Sequence, residues 1–83
     1  MPHAIVIEQG AGRILELDVP PGYRSRALRE LAPALNSIVG AIVRDGRAIE
    51  PRGEDRIEPR DRLIVFTTHA AADRVRDYFT QGG

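Results

Sequence analysis

Apolar and polar positions alternate from Arg13 to Val19. Leu15, Leu17 and Val19 point one way, and Glu16 and Asp18 point the other. That period of two predicts a half-buried β-strand. Before it, Ala4-Ile5-Val6-Ile7-Glu8 is a short β-branched run that predicts another strand, followed by a loop at Gln9-Gly10-Ala11-Gly12. Pro20-Pro21-Gly22 closes the alternating strand, because proline has no N–H for a ladder. The spacing then changes. Leu28 and Leu31 stand three apart, flanked by Arg29 and Glu30. This predicts a short helix from Arg26 to about Ala32, capped by Ser25 and limited to two turns by Pro33.

Ile38 to Arg44 is apolar on both faces, as expected of a strand in the middle of a sheet. Asp45-Gly46 follows, then Ala48-Ile49-Glu50. Asp-Gly between apolar runs predicts a hairpin, because a type I′ turn needs positive φ and these residues tolerate it. Pro51-Arg52-Gly53-Glu54-Asp55 reads as a loop, Arg56-Ile57-Glu58 as a short strand, and Pro59 as a turn. Leu63 to Thr68 is a second two-sided strand. Thr68 is placed to cap a last helix, roughly Ala70 to Phe79. Ala71, Ala72, Val75, Tyr78 and Phe79 form its apolar stripe, and Asp73, Arg74, Arg76 and Asp77 its wet face. The order is β-β-α-β-β-β-α. It predicts a small α+β domain with a mixed or antiparallel sheet of four to five strands, and with Ile42, Val65 and Phe79 in one core.

Composition narrows the picture. Eighty-three residues make one domain, 1–83. A chain of this size buries only roughly 60% of its unfolded surface, so a partner surface is expected. There is no cysteine, which excludes disulfides, Cys-based zinc sites and thiol nucleophiles. His3 and His69 are far apart and have no ligand-like spacing around them. No apolar run is long enough to span a membrane. The first residues lack the basic segment and apolar core of a signal peptide, so a cytoplasmic location is expected. Twelve basic residues balance twelve acidic ones, and nucleic acid is not an expected partner. Every basic residue is arginine. Six arginines and six carboxylates interleave over residues 44–62, as on a solvated hairpin face with cross-strand ion pairs.

The ordered set Val19-Pro20-Pro21-Gly22, Leu28-Arg29-Glu30-Leu31, Ile38 to Gly46, Pro51 and Ile57-Glu58-Pro59-Arg60-Asp61-Arg62-Leu63-Ile64-Val65-Phe66, closed by Val75-Arg76-Asp77-Tyr78-Phe79, resembles the TrkA C-terminal domain. The resemblance covers residues 13–79. Before the final strand the family has a Gly-Asp step. Asp61 matches it, but Arg60 stands in place of the glycine. The resemblance implies a dimerising, ligand-sensing module joined to a nucleotide-binding RCK domain that gates a potassium channel or transporter. No Gly-rich Rossmann unit is present in this sequence, so the chain is expected to be a fragment or remnant of a longer RCK-containing regulator, joined through Ala4 to Glu8.

Some members of that family bind cyclic di-AMP between two such domains, through an Asp-x-Arg on the helix and an Asn followed by apolar residues. Asn36-Ser37-Ile38-Val39 matches the second element, whereas Leu31-Ala32-Pro33 stands where the first would be. Asn36, Ser37, Ile38 and Val39 are therefore the candidate ligand-binding residues, for cyclic di-AMP or another nucleotide. Arg44 could supply opposite charge from a partner copy or at a second site. Asn36 also fits a left-handed position after the helix. Gly10-Ala11-Gly12 has no following helix to make it a phosphate loop. Ser25, Ser37 and His69 sit in no nucleophile arrangement, so catalysis is not expected. Two other readings are a ligand-free structural oligomerisation domain and an ACT-like small-molecule-binding domain. The latter needs a strand after the last helix.

Overall fold

The computed structural model describes residues 4–9 and 12–80. Strands β1 (Ala4–Gln9) and β2 (Gly12–Asp18) lead to a two-residue strand β3 (Arg26–Ala27) and helix α1 (Leu28–Leu35). Strands β4 (Ile38–Arg44), β5 (Arg47–Ile49), β6 (Arg56–Ile57) and β7 (Arg62–Thr68) follow, and helix α2 (His69–Thr80) ends the chain's described part. β1-β2-β7-β4-β5 form one five-stranded sheet, and every pairing in it is antiparallel. β3 and β6 form a separate two-stranded ribbon. The α+β class, the hairpin and the last helix match expectation. Gly10 and Ala11, of the suggested glycine loop, lie outside the described residues.

Both helices cover one face of the sheet. Leu15 and Leu17 of β2, Ile42 of β4, and Leu63 and Val65 of β7 share a core with Leu28, Leu31 and Leu35 of α1 and with Val75 and Phe79 of α2. Ile42, Val65 and Phe79 are all essentially inaccessible. Thr68 caps α2 as predicted: its Oγ1 accepts the Ala71 N–H at 3.1 Å. The Asp45-Gly46 turn has φ of 52° and 77°, the two positive values of a type I′ turn.

One expectation is corrected. The helix does not run from Arg26 to Ala32, and Ser25 does not cap it. Arg26 and Ala27 pair with Ile57 and Arg56 instead, so the helix begins two residues later. Its first donors are met by a distant loop: Leu28 N–H donates to Asp55 O and Arg29 N–H to Gly53 O. Ser25 Oγ joins Glu58 and Arg56 across the ribbon. The helix does last only eight residues, with Pro33 in its second turn. β4 and β7, read as apolar on both faces and central, do lie inside the sheet. Their outer face, opposite the helices, is open: Ile38 is 66% exposed and Phe66 44%. Their apolar residues alternate between a helix-covered face and an uncovered one, and sequence alone cannot tell a covering helix from an absent one.

Two local features generate tests. Glu58 to Asp61 form a turn closed by Asp61 N–H to Glu58 O at 3.2 Å, with Pro59 second and Arg60 third at φ 70°. That is a type II turn, whose third position favours glycine. The glycine missing from the family-like step is thus missing where backbone geometry asks for it. Arg60→Gly is expected to raise stability by about 0.5–1 kcal/mol, read from the urea midpoint.

Tyr23 is buried, and its hydroxyl meets that of Tyr78 at 2.9 Å, with Phe79 against both rings. Burial, and then the Tyr78 hydrogen bond, push the Tyr23 phenol well above its ordinary value. A raised acid pKa means that the unfolded chain releases its proton first. Stability is therefore full below about pH 10 and falls above it, by roughly 1.4 kcal/mol per pH unit at most. The chain has no lysine and no cysteine to change charge in this window. Tyr23→Phe is expected to flatten the fall in melting temperature between pH 9.5 and 11.

Candidate functional site

The segment leaving α1 is built by helix termination. Asn36 adopts φ 51°, and its N–H donates to Pro33 O at 3.2 Å, which ends the helix in a left-handed residue. Ser37 then turns its hydroxyl back to the Leu35 carbonyl, at 2.8 Å. A hydroxyl has one proton, so the 2.8 Å contact between Ser37 Oγ and Thr67 Oγ1 has Thr67 as donor. Ser37 thus satisfies an orphan helix carbonyl and ties β4 to β7, and it is nearly buried. Asn36 is exposed, and its side-chain amide has no hydrogen-bond partner among the described residues.

An open hollow of about 520 Å³ lies against this segment, lined by Pro33, Asn36, Ser37, Ile38, Phe66, Thr67 and Thr68. Ile38 and Phe66 are register partners on the outer face. A β-bulge separates Val39 from Ala41, and Gly40 lies within it. A Cβ at Gly40 would sit 2.2 Å from the Phe66 ring, so the ring lies across the glycine. Gly40 thereby permits the position of Phe66 at the mouth of the hollow. Val39 turns inward and packs on the core.

Arg44 is elsewhere, at the far end of β4. Its guanidinium grips Asp61 with two bonds, Nε to Oδ1 at 2.8 Å and Nη2 to Oδ2 at 2.7 Å, and Nη2 also donates to Arg56 O. Asp61 is 2% exposed and also accepts the Glu58 N–H at 2.8 Å. This hydrogen-bonded pairing with Asp61 raises the Arg44 pKa further, so the charge is permanent. The structure therefore brings Asn36, Ser37 and Ile38 together around one hollow and leaves Arg44 in a structural ion pair. Sequence reasoning did not include Phe66, Thr67 and Thr68. Their only signal was the two-sided character of their strand.

The TrkA-C domain family matches residues 14–80. The chain belongs to this family. The TrkA-C domain is a regulatory module of the kind found in potassium uptake regulators, and it is not an enzyme. The chain is 37% identical over 54 residues to a Trk system potassium uptake protein TrkA homolog of Archaeoglobus fulgidus. That stretch is 65% of this chain but 12% of the relative. Among solved structures, one described as an RCK domain with cda superposes with a TM-score of 0.68 at 24% identity, covering 80% of this chain and 96% of that one. The GsuK RCK domain superposes with a TM-score of 0.74 at 15% identity, covering 99% of this chain and 19% of that one. Both share the fold. Among the described residues, no helix is long and apolar enough to cross a membrane, and no side-chain cluster could hold a metal ion.

The ion pair of this TrkA-C domain is testable. Arg44→Ala leaves the Asp61 carboxylate inaccessible and without its main partner. The expected loss is roughly 2–3 kcal/mol, below that of a fully buried pair because the Arg44 side chain is 36% exposed. Urea denaturation of the variant measures it.

Proposed function

We propose that this chain is the dimerising, ligand-sensing module of a potassium uptake system. It is a single unit, with its core over residues 13–79, belonging to a longer RCK-containing regulator. Its partners on this reading are an RCK nucleotide-binding domain and a potassium channel or transporter subunit, at the cytoplasmic side of the membrane. The observation that carries the reading is the hollow at the start of β4. It combines an uncommitted amide at Asn36 with exposed apolar walls at Ile38 and Phe66. Such a mixture suits a small molecule with a flat apolar body and polar edges. Exposed apolar rims also suit a second copy, which would complete the hollow across a two-fold axis. The bases of cyclic di-AMP or another nucleotide fit that chemistry, and the neighbour described with cda lends the reading support. Arg44 is paired with Asp61 at the far end of β4, so on this reading it does not line this hollow. The ligand would act by binding one relative orientation of two modules more tightly than another, since equal affinity shifts nothing.

Sedimentation at tens of micromolar is expected to show a dimer for the wild type and a monomer for Ile38→Glu. A thermal-shift screen of nucleotides and cyclic dinucleotides is expected to find a stabilising ligand. Asn36→Ala should weaken that ligand about tenfold. A dimer that no ligand stabilises would instead make the domain a purely structural oligomerisation module. A monomeric wild type would remove the dimer reading altogether.

A further inference from the structure

β5 pairs with only three residues of β4: Ile42, Val43 and Arg44. The other half of β4, Ile38 to Ala41, has β7 on one side and no strand on the other among the described residues. The lane that β5 would have continued along is vacated at Pro51, which ends the strand. The chain then turns to Gly53, whose carbonyl accepts the Arg29 N–H at the start of α1. Between the free strand edge, the helix start and this diverted loop lies a second hollow, of about 210 Å³. Leu28, Val39 and Pro51 give it an apolar floor, and Arg29 and Arg52 stand at its rim. Both arginine side chains are exposed, and neither guanidinium has an ion-pair or hydrogen-bond partner among the described residues. Arg44, Arg62 and Arg76 are engaged with carboxylates, whereas Arg24, Arg47, Arg60 and Arg74 also have no guanidinium partner among the described residues. What sets Arg29 and Arg52 apart is that they flank one apolar hollow.

We propose that this edge takes a short, extended, acidic segment of a partner protein, added as a strand beside β4. A strand edge offers main-chain hydrogen bonds, and alternate side chains of the guest then face a pocket. Here the pocket is apolar and the rim is doubly positive. The guest therefore alternates an apolar residue, set over Leu28 and Val39, with carboxylates that reach Arg29 and Arg52. The bulge at Gly40 interrupts the β4 ladder and limits the pairing to a few residues, so the interaction is a weak, reversible one. It uses the lateral edge of β4 and the Leu28–Gly53 side of the domain. Ser37 and Ile38 line both this hollow and the ligand hollow, which extends from them toward Phe66 and Thr68. The inference does not rest on the dimer or on the small-molecule reading.

The probe is a fluorescein-labelled, acetylated hexapeptide of alternating glutamate and valine, titrated by anisotropy with the whole chain. Saturable binding below 1 mM is expected, weakened at least tenfold in the Arg29→Glu, Arg52→Glu double variant. The variant's melting temperature verifies that it is folded, since both side chains are exposed. Two controls separate strand addition from charge alone. The same peptide N-methylated at alternate residues should lose binding in at least one of its two registers, and a lysine-for-glutamate version should not bind. Amide shifts on peptide addition should map to residues 38–41 and 51–53. Equal binding by both N-methylated registers, shifts confined to the Asn36–Thr68 hollow, or no saturation by 1 mM would overturn the proposal. So would peptide-free shifts at 51–53 that grow with protein concentration, because a second copy would then own the edge.

Discussion

Asp61 is a carboxylate with almost no access to water, and the fold is arranged around supplying its partners. Arg44 reaches it from the end of β4, the Glu58 N–H reaches it from the preceding turn, and its own carbonyl accepts the Val19 N–H. A buried charge is tolerated only when it is paired and hydrogen-bonded, so these elements are held in one mutual position. The Arg44 guanidinium also takes the Arg56 carbonyl, which links the ribbon strand β6 to the main sheet. One residue type could not be exchanged for lysine here, because the fork supplies two parallel bonds and a third donor at once. Among the described residues no buried side-chain polar atom is left without a partner.

That anchored end of the sheet contrasts with the other. At the start of β4 the polar groups are neutral, and the apolar side chains face outward. Ser37 and Thr67 settle their own hydrogen bonds and leave the surrounding surface to Pro33, Ile38 and Phe66. On the outer face the cross-strand row Ile14–Phe66–Ile38 is apolar, whereas Asp18 and Arg62 pair at the opposite end. A sheet face divided in this way has a wet, self-satisfied end and a dry end suited to association.

The free half of β4 has the same origin as the hollow beside it. Pro51 stops β5 after three residues, and the diverted loop supplies the carbonyls that begin α1. The helix start is therefore built at the expense of strand coverage. The bulge at Gly40 and the flanking arginines restrict which strand such an edge accepts.

Much of the architecture was legible from period and turn chemistry. The alternation of Leu15, Leu17 and Val19, the Asp45-Gly46 turn, the Thr68 cap and the stripe ending at Phe79 are local signals with local causes. Asn36 was readable as a left-handed helix terminator for the same reason. The start of α1 was not, because its first N–H groups are met by Gly53 and Asp55, more than twenty residues away along the chain. The pairing of Arg26 and Ala27 with β6 is equally non-local. Sequence gathered Asn36, Ser37 and Ile38 because they are consecutive, but Phe66, Thr67 and Thr68 joined them only through the β4–β7 register. It left Arg44 open between a ligand and solvent. Only the folded chain, by burying Asp61 within reach of that guanidinium, placed Arg44 in an ion pair at the far end of β4.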